Sequence, residues 1–187
     1  MPKETLPIEH HVDVKVESLK EFKGSDLTDL CEASESSFLD NSLSFSIGTS
    51  RTKMPTRQQL ESYWRGVLLV PERELIVGRI DGVIASSIQL LKPAPNNQTS
   101  YFSGSVDHHF VAPWARGHGL AKALIIAVEE KAKESGLTVL RLSVRENLIA
   151  AIKLYESFGY QKWGTLDKYE KVENKMLAGF FYYKDLI

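Results

Sequence analysis

The run Arg-Gly-His-Gly at residues 116–119 places two glycines and a cation where an amphipathic helix begins. Ordinary helix starts carry Ser, Thr, Asp or Asn, whose side-chain oxygen accepts from the first N–H groups. Without such a cap those N–H groups stay unpaired at the positive end of the helix dipole. That combination is an anion site, with phosphate its commonest guest. Glycines lack a Cβ, so a phosphate can come against the backbone. A second reading is steric, with the glycines serving only a tight strand-to-helix turn. The chain has no G-x-x-x-x-G-K-[ST] run and no G-x-G-x-x-G opening a first βαβ unit. P-loop and dinucleotide chemistry are therefore set aside.

The elements that must hold this turn follow from periodicity. Residues 12–19 alternate apolar and polar and predict a strand. Residues 25–38 predict a helix with Ser25 as N-cap, and 56–69 a second helix starting just after Pro55. The Ser-rich stretch between them is a long loop or a broken helix. Residues 74–91 hold two β-rich runs around Asp81-Gly82, a type I′ hairpin signature. Residues 92–100 form a loop, and 101–112 a strand ended by Pro113. A helix over about 117–135 buries Leu120, Leu124, Val128 and Ala132, with Gly136 at its C′ position. A strand (137–144), a helix (147–158) closed by Gly159 and two final strands (160–166 and 178–186) complete the chain. The hairpin predicts antiparallel pairing, and the two strand–helix–strand crossovers after residue 100 favour parallel pairing. The fold class is α/β: a mixed, mostly antiparallel twisted sheet with helices on both faces. It forms a single domain over 1–187, with 1–11 as a loose N-terminus.

Composition narrows the function. The 23 basic and 24 acidic residues leave a net charge of −1, without the basic footprint of a nucleic-acid binder. The single cysteine, Cys31, excludes an internal disulfide and fits a reducing compartment. No stretch reaches the roughly 20 apolar residues of a membrane-spanning helix, and the first residues do not read as a signal peptide. The expected location is the cytoplasm. No Cys/His/carboxylate cluster has metal-ligand spacing, so no metal is expected.

Arg116-x-x-Gly119-x-Ala121 follows a strand and opens a helix. Some thirty residues later come Leu154, Tyr155, Glu156, Gly159 and Tyr160. In this order and on these elements, the two motifs resemble the acetyl-CoA signature and the "LYE-x-x-G-F" helix of the GNAT (Gcn5-related) N-acetyltransferases. Tyr160 stands at the Phe position. The order of elements resembles the family along nearly the whole chain. The resemblance implies a GNAT-like acyl-CoA N-acyltransferase fold with acetyl-CoA as co-substrate. It implies that the main chain of Gly117, His118, Gly119, Leu120, Ala121 and Lys122, with Arg116 beside it, holds the pyrophosphate. The backbone of His109, Phe110 and Val111 would pair with the pantetheine arm, where two strands splay apart.

Acyl transfer to an amine requires a deprotonated amine, because an alkyl ammonium has a pKa near ~10. It also requires a donor for the oxyanion and a proton for the leaving thiolate. The resemblance carries the general-acid role to Tyr155; otherwise Tyr155 is a core tyrosine on a buried helix face with Ile152. Asn147, eight residues before Tyr155, either contacts the cofactor or caps its helix; Leu148 holds the family's usual asparagine position. The family's base position falls on Asp107. His108 and His109 are neighbours that could act through water. Strand alternation puts His109, not His108, on the side of Asp107. Trp64, Trp114 and Trp163 are expected to pack.

The reading is an acetyl-CoA-dependent N-acetyltransferase, with direct transfer to a primary amine in a ternary complex. The alternative is a non-catalytic acyl-CoA-binding sensor module. Cys31 has no evident activating partner and is not a nucleophile candidate. The acceptor is a small-molecule amine or a protein or peptide amine, and the protein a monomer or homodimer with no nucleic-acid or membrane partner. In the family the acceptor pocket comes from segments that here span about 36–70, 92–100 and 165–182. They carry Asp40, Asn96, Asn97, Tyr169 and Phe180.

Overall fold

The computed structural model describes residues 12–40, 54–172 and 174–186. The expected looseness of residues 1–11 and most of the Ser-rich stretch lie outside them. The elements follow in the predicted order: β1 (Val14–Leu19), α1 (Asp26–Asp40), α2 (Arg57–Leu69), β2 (Arg73–Ile80), β3 (Val83–Leu91), β4 (Ser103–Val111), α3 (Leu120–Glu134), β5 (Val139–Arg145), α4 (Ile149–Ser157), β6 (Gln161–Val172) and β7 (Lys175–Asp185). A 3₁₀ turn, Pro113–Ala115, joins β4 to the start of α3.

The described strands form one sheet in the order β1-β2-β3-β4-β5-β7-β6. Only the β4–β5 pair is parallel. The first crossover behaves as expected. The second does not bring its strands together, because β7 inserts between β5 and β6 and pairs antiparallel with both. The hairpin at the chain's end outcompetes the crossover for the edge of β5.

Strand alternation divides the core. Leu75, Val77, Ile84 and Phe110 face α1 and α2, packing with Leu30, Leu60 and Trp64. Ile76, Ile88 and Leu90 face α3 and α4 and join Leu124, Val128 and Tyr155. The stripe Leu120, Leu124, Val128 and Ala132 is buried, as its spacing predicts.

Local chemistry sets the ends of the elements. Thr56 and Gln59 form a reciprocal capping box at α2. Asp81 and Gly82 both have positive φ, 49° and 84°, which a type I′ turn requires. Ser25 is not the predicted acceptor cap: its hydroxyl donates to the Asp29 carboxylate at 3.0 Å.

Candidate active site

Beyond Ser105 and Arg141, β4 and β5 no longer pair. Their register covers only Ser103–Ser105 against Val139–Arg141. The gap between their C-terminal halves carries the site. It has a cleft of about 720 Å³ at the starts of α3 and α4 and a pocket of about 280 Å³. His109, Leu148 and Ala151 border both.

The start of α3 is built from backbone. Gly117 and Gly119 have φ of 85° and 79°, and a Cβ at either would meet nothing within 4 Å. Their need is therefore conformational, and no packing among the described residues demands it: the positive φ serves the tight turn, and the open space beside it leaves room for a ligand. No side chain caps α3. The first main-chain bond into it runs from the Ala123 N–H to the Gly119 carbonyl at 3.0 Å. The preceding N–H groups have no protein partner among the described residues. Gly78 seats this turn on the sheet. A Cβ there would come within 2.7 Å of the Leu120 side chain, so Leu120 packs directly on β2.

The cleft gathers His109, Phe110, Val111, Arg116, Gly117, Gly119, Leu120, Ala121, Lys122 and Asn147. His118 turns away: its Nδ1 lies 3.2 Å from the Ala115 carbonyl. Asn147 does not cap α4. Leu148 holds the cap position without a side-chain bond, and Asn147 lines the cleft instead. Asp40, expected near the acceptor, reaches across this cleft to Arg116 at 2.8 Å.

Tyr155 lines the smaller pocket and is also a core residue, 6% exposed. The LYE-x-x-G-Y run explains both. Gly159, with φ of 84°, lets the Gly159 N–H bond to the Glu156 carbonyl and the Tyr160 N–H to the Tyr155 carbonyl, a Schellman ending. That ending sets Tyr160 edge-on to Tyr155, with ring centroids 5.6 Å apart. The Tyr155 hydroxyl lies 2.8 Å from His109 Nδ1. Burial, helped by the Asp107 charge, pushes the Tyr155 phenol above its ordinary range. Burial pushes His109 down to about 4, against a small opposing pull from the Ala121 main chain. The imidazole is therefore neutral at neutral pH.

The alternation assumed for β4 fails at His108. Its φ is +46°, and β4 carries one extra residue against β3 between Asp107 and Phe110. This bulge turns His108 back beside Asp107, with Nδ1 to Oδ2 at 3.1 Å. His109 is aimed at Tyr155. His108, not His109, is thus the partner of Asp107. Arg73 approaches the same carboxylate at 3.5 Å and bonds Gln89, which donates to the Tyr63 hydroxyl. Burial works to raise the Asp107 pKa, but His108 and Arg73 outweigh it and hold the group below its ordinary range.

Arg145, Tyr169 and Glu170 complete the smaller pocket. Arg145 was not anticipated. The alternation Leu140-Arg141-Leu142-Ser143-Val144-Arg145 is its only sequence signal, marking a polar face that ends at the gap. Asn97 lies at the other end of the sheet, beside Ser103 and Arg141. Phe180 carries the Lys162 ammonium 3.4 Å above its ring rather than lining the pocket. Trp64 packs in the core, but Trp114 and Trp163 are exposed, contrary to expectation. Cys31 is buried, and burial pushes its thiol up to about 11, far from an activated nucleophile. Among the described residues no cluster could hold a metal ion, and no helix is long and apolar enough to cross a membrane.

A model of the acetyltransferase (GNAT) family matches residues 37–160. An uncharacterized N-acetyltransferase from Azospirillum brasilense is 50% identical over 134 residues, covering 72% of this chain and 77% of that protein. An N-acetyltransferase structure from Staphylococcus aureus superposes with a TM-score of 0.75 at 19% identity, over 94% of this chain and 99% of that one. The Salmonella typhimurium protein yncA, solved with its cofactor acetyl-CoA, superposes with a TM-score of 0.72 at 14% identity, over 93% of this chain and 94% of that one. With its glycine turn, parted strands and buried tyrosine already in place, the chain belongs to the GNAT family of N-acetyltransferases.

Proposed function

We propose that the protein transfers an acetyl group from acetyl-CoA directly to a primary amine bound in the pocket beside Tyr155, both substrates being present at once. The observation that carries this reading is the meeting of the two cavities at His109, Leu148 and Ala151. One cavity is built for an anionic cofactor and the other for a polar acceptor. The described strands form one sheet, and the whole chain acts as one acetyltransferase domain.

Acetyl-CoA supplies the acetyl group as an activated thioester. In this reading the main chain from Gly117 to Lys122, with Arg116 and Lys122 nearby, holds the pyrophosphate. The stretch of β4 at His109, Phe110 and Val111, beyond its pairing with β5, receives the pantetheine amides. Asn147 adds a polar contact from the facing wall.

Tyr155 holds the proton that the leaving sulfur needs. Its raised pKa keeps it protonated at neutral pH, and the neutral His109 at 2.8 Å orients the hydroxyl and exchanges protons with it. Asp107 stays charged beside His108 and Arg73. Its role is to attract and orient the acceptor ammonium, with proton removal through water along the carboxylate–histidine edge. Cys31 takes no part, so no acetyl-enzyme forms.

The test has two stages. The melting temperature is measured with and without excess acetyl-CoA, on protein freed of copurified ligand. Saturation at about a hundred times Kd adds about 2.7 kcal/mol and raises the melting point by a few degrees. Amine-dependent thiol release then separates an enzyme from a sensor module. Binding without turnover across small amines and peptides supports the sensor. Absence of binding removes both.

A further inference from the structure

Arg145 is the last residue of β5 and is only 3% exposed. Its two terminal nitrogens, Nη1 and Nη2, have no hydrogen-bond partner among the described residues. Its Nε lies 3.4 Å from Glu170 Oε2, which serves one edge of the guanidinium. A guanidinium carries five N–H donors in a planar fork and does not shed its charge. Leaving such donors buried without acceptors is among the costliest polar arrangements a fold can contain. Burial works against the charged form of this side chain, opposed by Glu170 and Tyr169. An arginine kept only for packing has no need of this arrangement. An arginine that awaits a planar anion does.

The surroundings say where that anion enters. Arg145 lines the pocket that also holds Asp107, His108, Tyr155, Tyr169 and Glu170. One strand segment beside it is irregular. Between Leu166 and Glu170 the pairing of β6 with β7 is interrupted, with two extra residues on β6. The interruption lays the Tyr169 ring over Gly179, the β7 residue paired with Arg145, where any Cβ would overlap the ring. The Tyr169 hydroxyl reaches Ser143 at 2.6 Å. Tyr169 and Glu170 thus lie over the guanidinium on the least firmly paired part of the edge strand.

We propose that Arg145 binds a carboxylate on the acceptor, and that the acceptor is a small amino-acid-like molecule carrying that carboxylate close to its amine. The carboxylate takes the two free guanidinium nitrogens as Tyr169 and Glu170 shift aside. The ammonium is drawn to Asp107, on the side of the pocket toward Tyr155. A polyamine or other bare cation would meet a buried guanidinium of its own sign, its two terminal nitrogens without acceptors among the described residues, in a pocket of about 280 Å³. The inference rests on the smaller pocket being the acceptor side of an acetyltransferase.

The experiment compares matched pairs: the common L-amino acids and, beside each, its carboxamide, with acetyl-CoA and thiol release as the readout. Acetyl-CoA binding is established first by thermal shift. The expected result is that at least one amino acid is acetylated. Its carboxamide should fall in kcat/KM by on the order of a hundredfold or more, because an unmatched buried charge discriminates strongly. Arg145→Gln should abolish that preference with little change in melting temperature, since it removes a buried charge that Glu170 meets at one edge only. Three results overturn the proposal. The first is acetylation of carboxamides or decarboxylated amines as well as the acids. The second is an acid-to-amide ratio that Arg145→Gln leaves unchanged. The third is that, with acetyl-CoA bound, no amino acid is turned over or raises the melting temperature of the complex. If Arg145→Gln fails to fold, the acid-to-amide ratio of the unaltered protein decides alone. If acetyl-CoA itself does not bind, the acetyltransferase reading falls first and this one with it.

Discussion

The two cavities that meet at His109 are made of different material. The larger one is framed by backbone: two glycines in left-handed conformation, the first N–H groups of α3, which have no partner among the described residues, and the edge of β4 beyond its pairing with β5. The smaller one is made of side chains from β4, β5, α4 and β6, placed by two irregularities, the His108 bulge and the β6 interruption. Backbone recognition forces a contiguous pattern on the sequence, since particular residues must stand at particular positions in one turn. Side-chain recognition needs only that distant positions converge. The first is therefore constrained by the cofactor alone, and the second by whatever acceptor the pocket takes.

The sharpest way to separate the two regions is to remove one atom where they join. Tyr155→Phe deletes the hydroxyl 2.8 Å from His109 and leaves the glycine turn untouched. Turnover should fall by on the order of a hundredfold or more, the usual scale for a positioned proton donor. The Kd for acetyl-CoA should stay within about threefold. A matching loss in affinity would show that the two regions are not independent. Unchanged turnover would remove the general-acid role.

His109 allows a second test at the same junction, read in stability. Its folded pKa is about 4 against an ordinary value of 6.5. Between those values the unfolded chain binds a proton that the folded chain refuses, so stability falls as pH drops from about 6.5 towards 4. The whole shift corresponds to on the order of 3 kcal/mol. Asp107, held below its ordinary range, gives a favourable contribution that is complete above its unfolded pKa of about 4. That contribution is lost only at lower pH, outside this window. Urea denaturation at pH 7 and pH 5 measures the first effect, and His109→Gln should flatten it. A slope unchanged in the variant would place the proton uptake elsewhere.

The same contrast explains what the sequence made legible. The eleven main elements, the Asp81-Gly82 hairpin and the glycine turn that opens α3 all follow from local pattern. Each is decided by residues within a few positions of one another. The errors are non-local. Nothing near β5 says that β7 will take its edge, because the competing strand lies beyond α4 and β6. Nothing near Asp107 announces a bulge, and one extra residue was enough to exchange His108 for His109 as its partner. Arg145 was visible only as the end of a polar strand face. Its burial depends on Tyr169 and Gly179, which arrive late in the chain. Asn147 was open between cap and cofactor contact, and the unfilled cap at Leu148 settles that side.

On the backbone side, Gly119→Ala tests whether the turn is what it looks like. The new Cβ would meet no protein atom within 4 Å. The cost to the free protein is then the conformational one of holding alanine at φ +79°, about 1–2 kcal/mol. If phosphate occupies the open space beside this residue, the Kd for acetyl-CoA weakens by a further factor of about ten. Calorimetric titration and a denaturation curve on the same sample separate the two effects. A loss of stability with no loss of affinity would return the turn to a purely architectural role.

The smallest effect tests an acidic side chain that reaches across the larger cavity. Asp40 holds Arg116 at 2.8 Å, and both side chains are substantially exposed, 40% and 53%. An ion pair so placed is worth at most about 1 kcal/mol. Asp40→Asn frees the guanidinium and removes a negative charge from the cleft proposed to hold the cofactor's phosphates. Acetyl-CoA should then bind a few-fold more tightly at low salt, and the gain should shrink as ionic strength rises. Weaker binding in Asp40→Asn would mean that Asp40 positions Arg116 for the ligand rather than competing with it. In that case the cofactor cleft, like the acceptor pocket, would depend on side chains converging from separate elements, and the division drawn between the two cavities would hold only for the glycine turn itself.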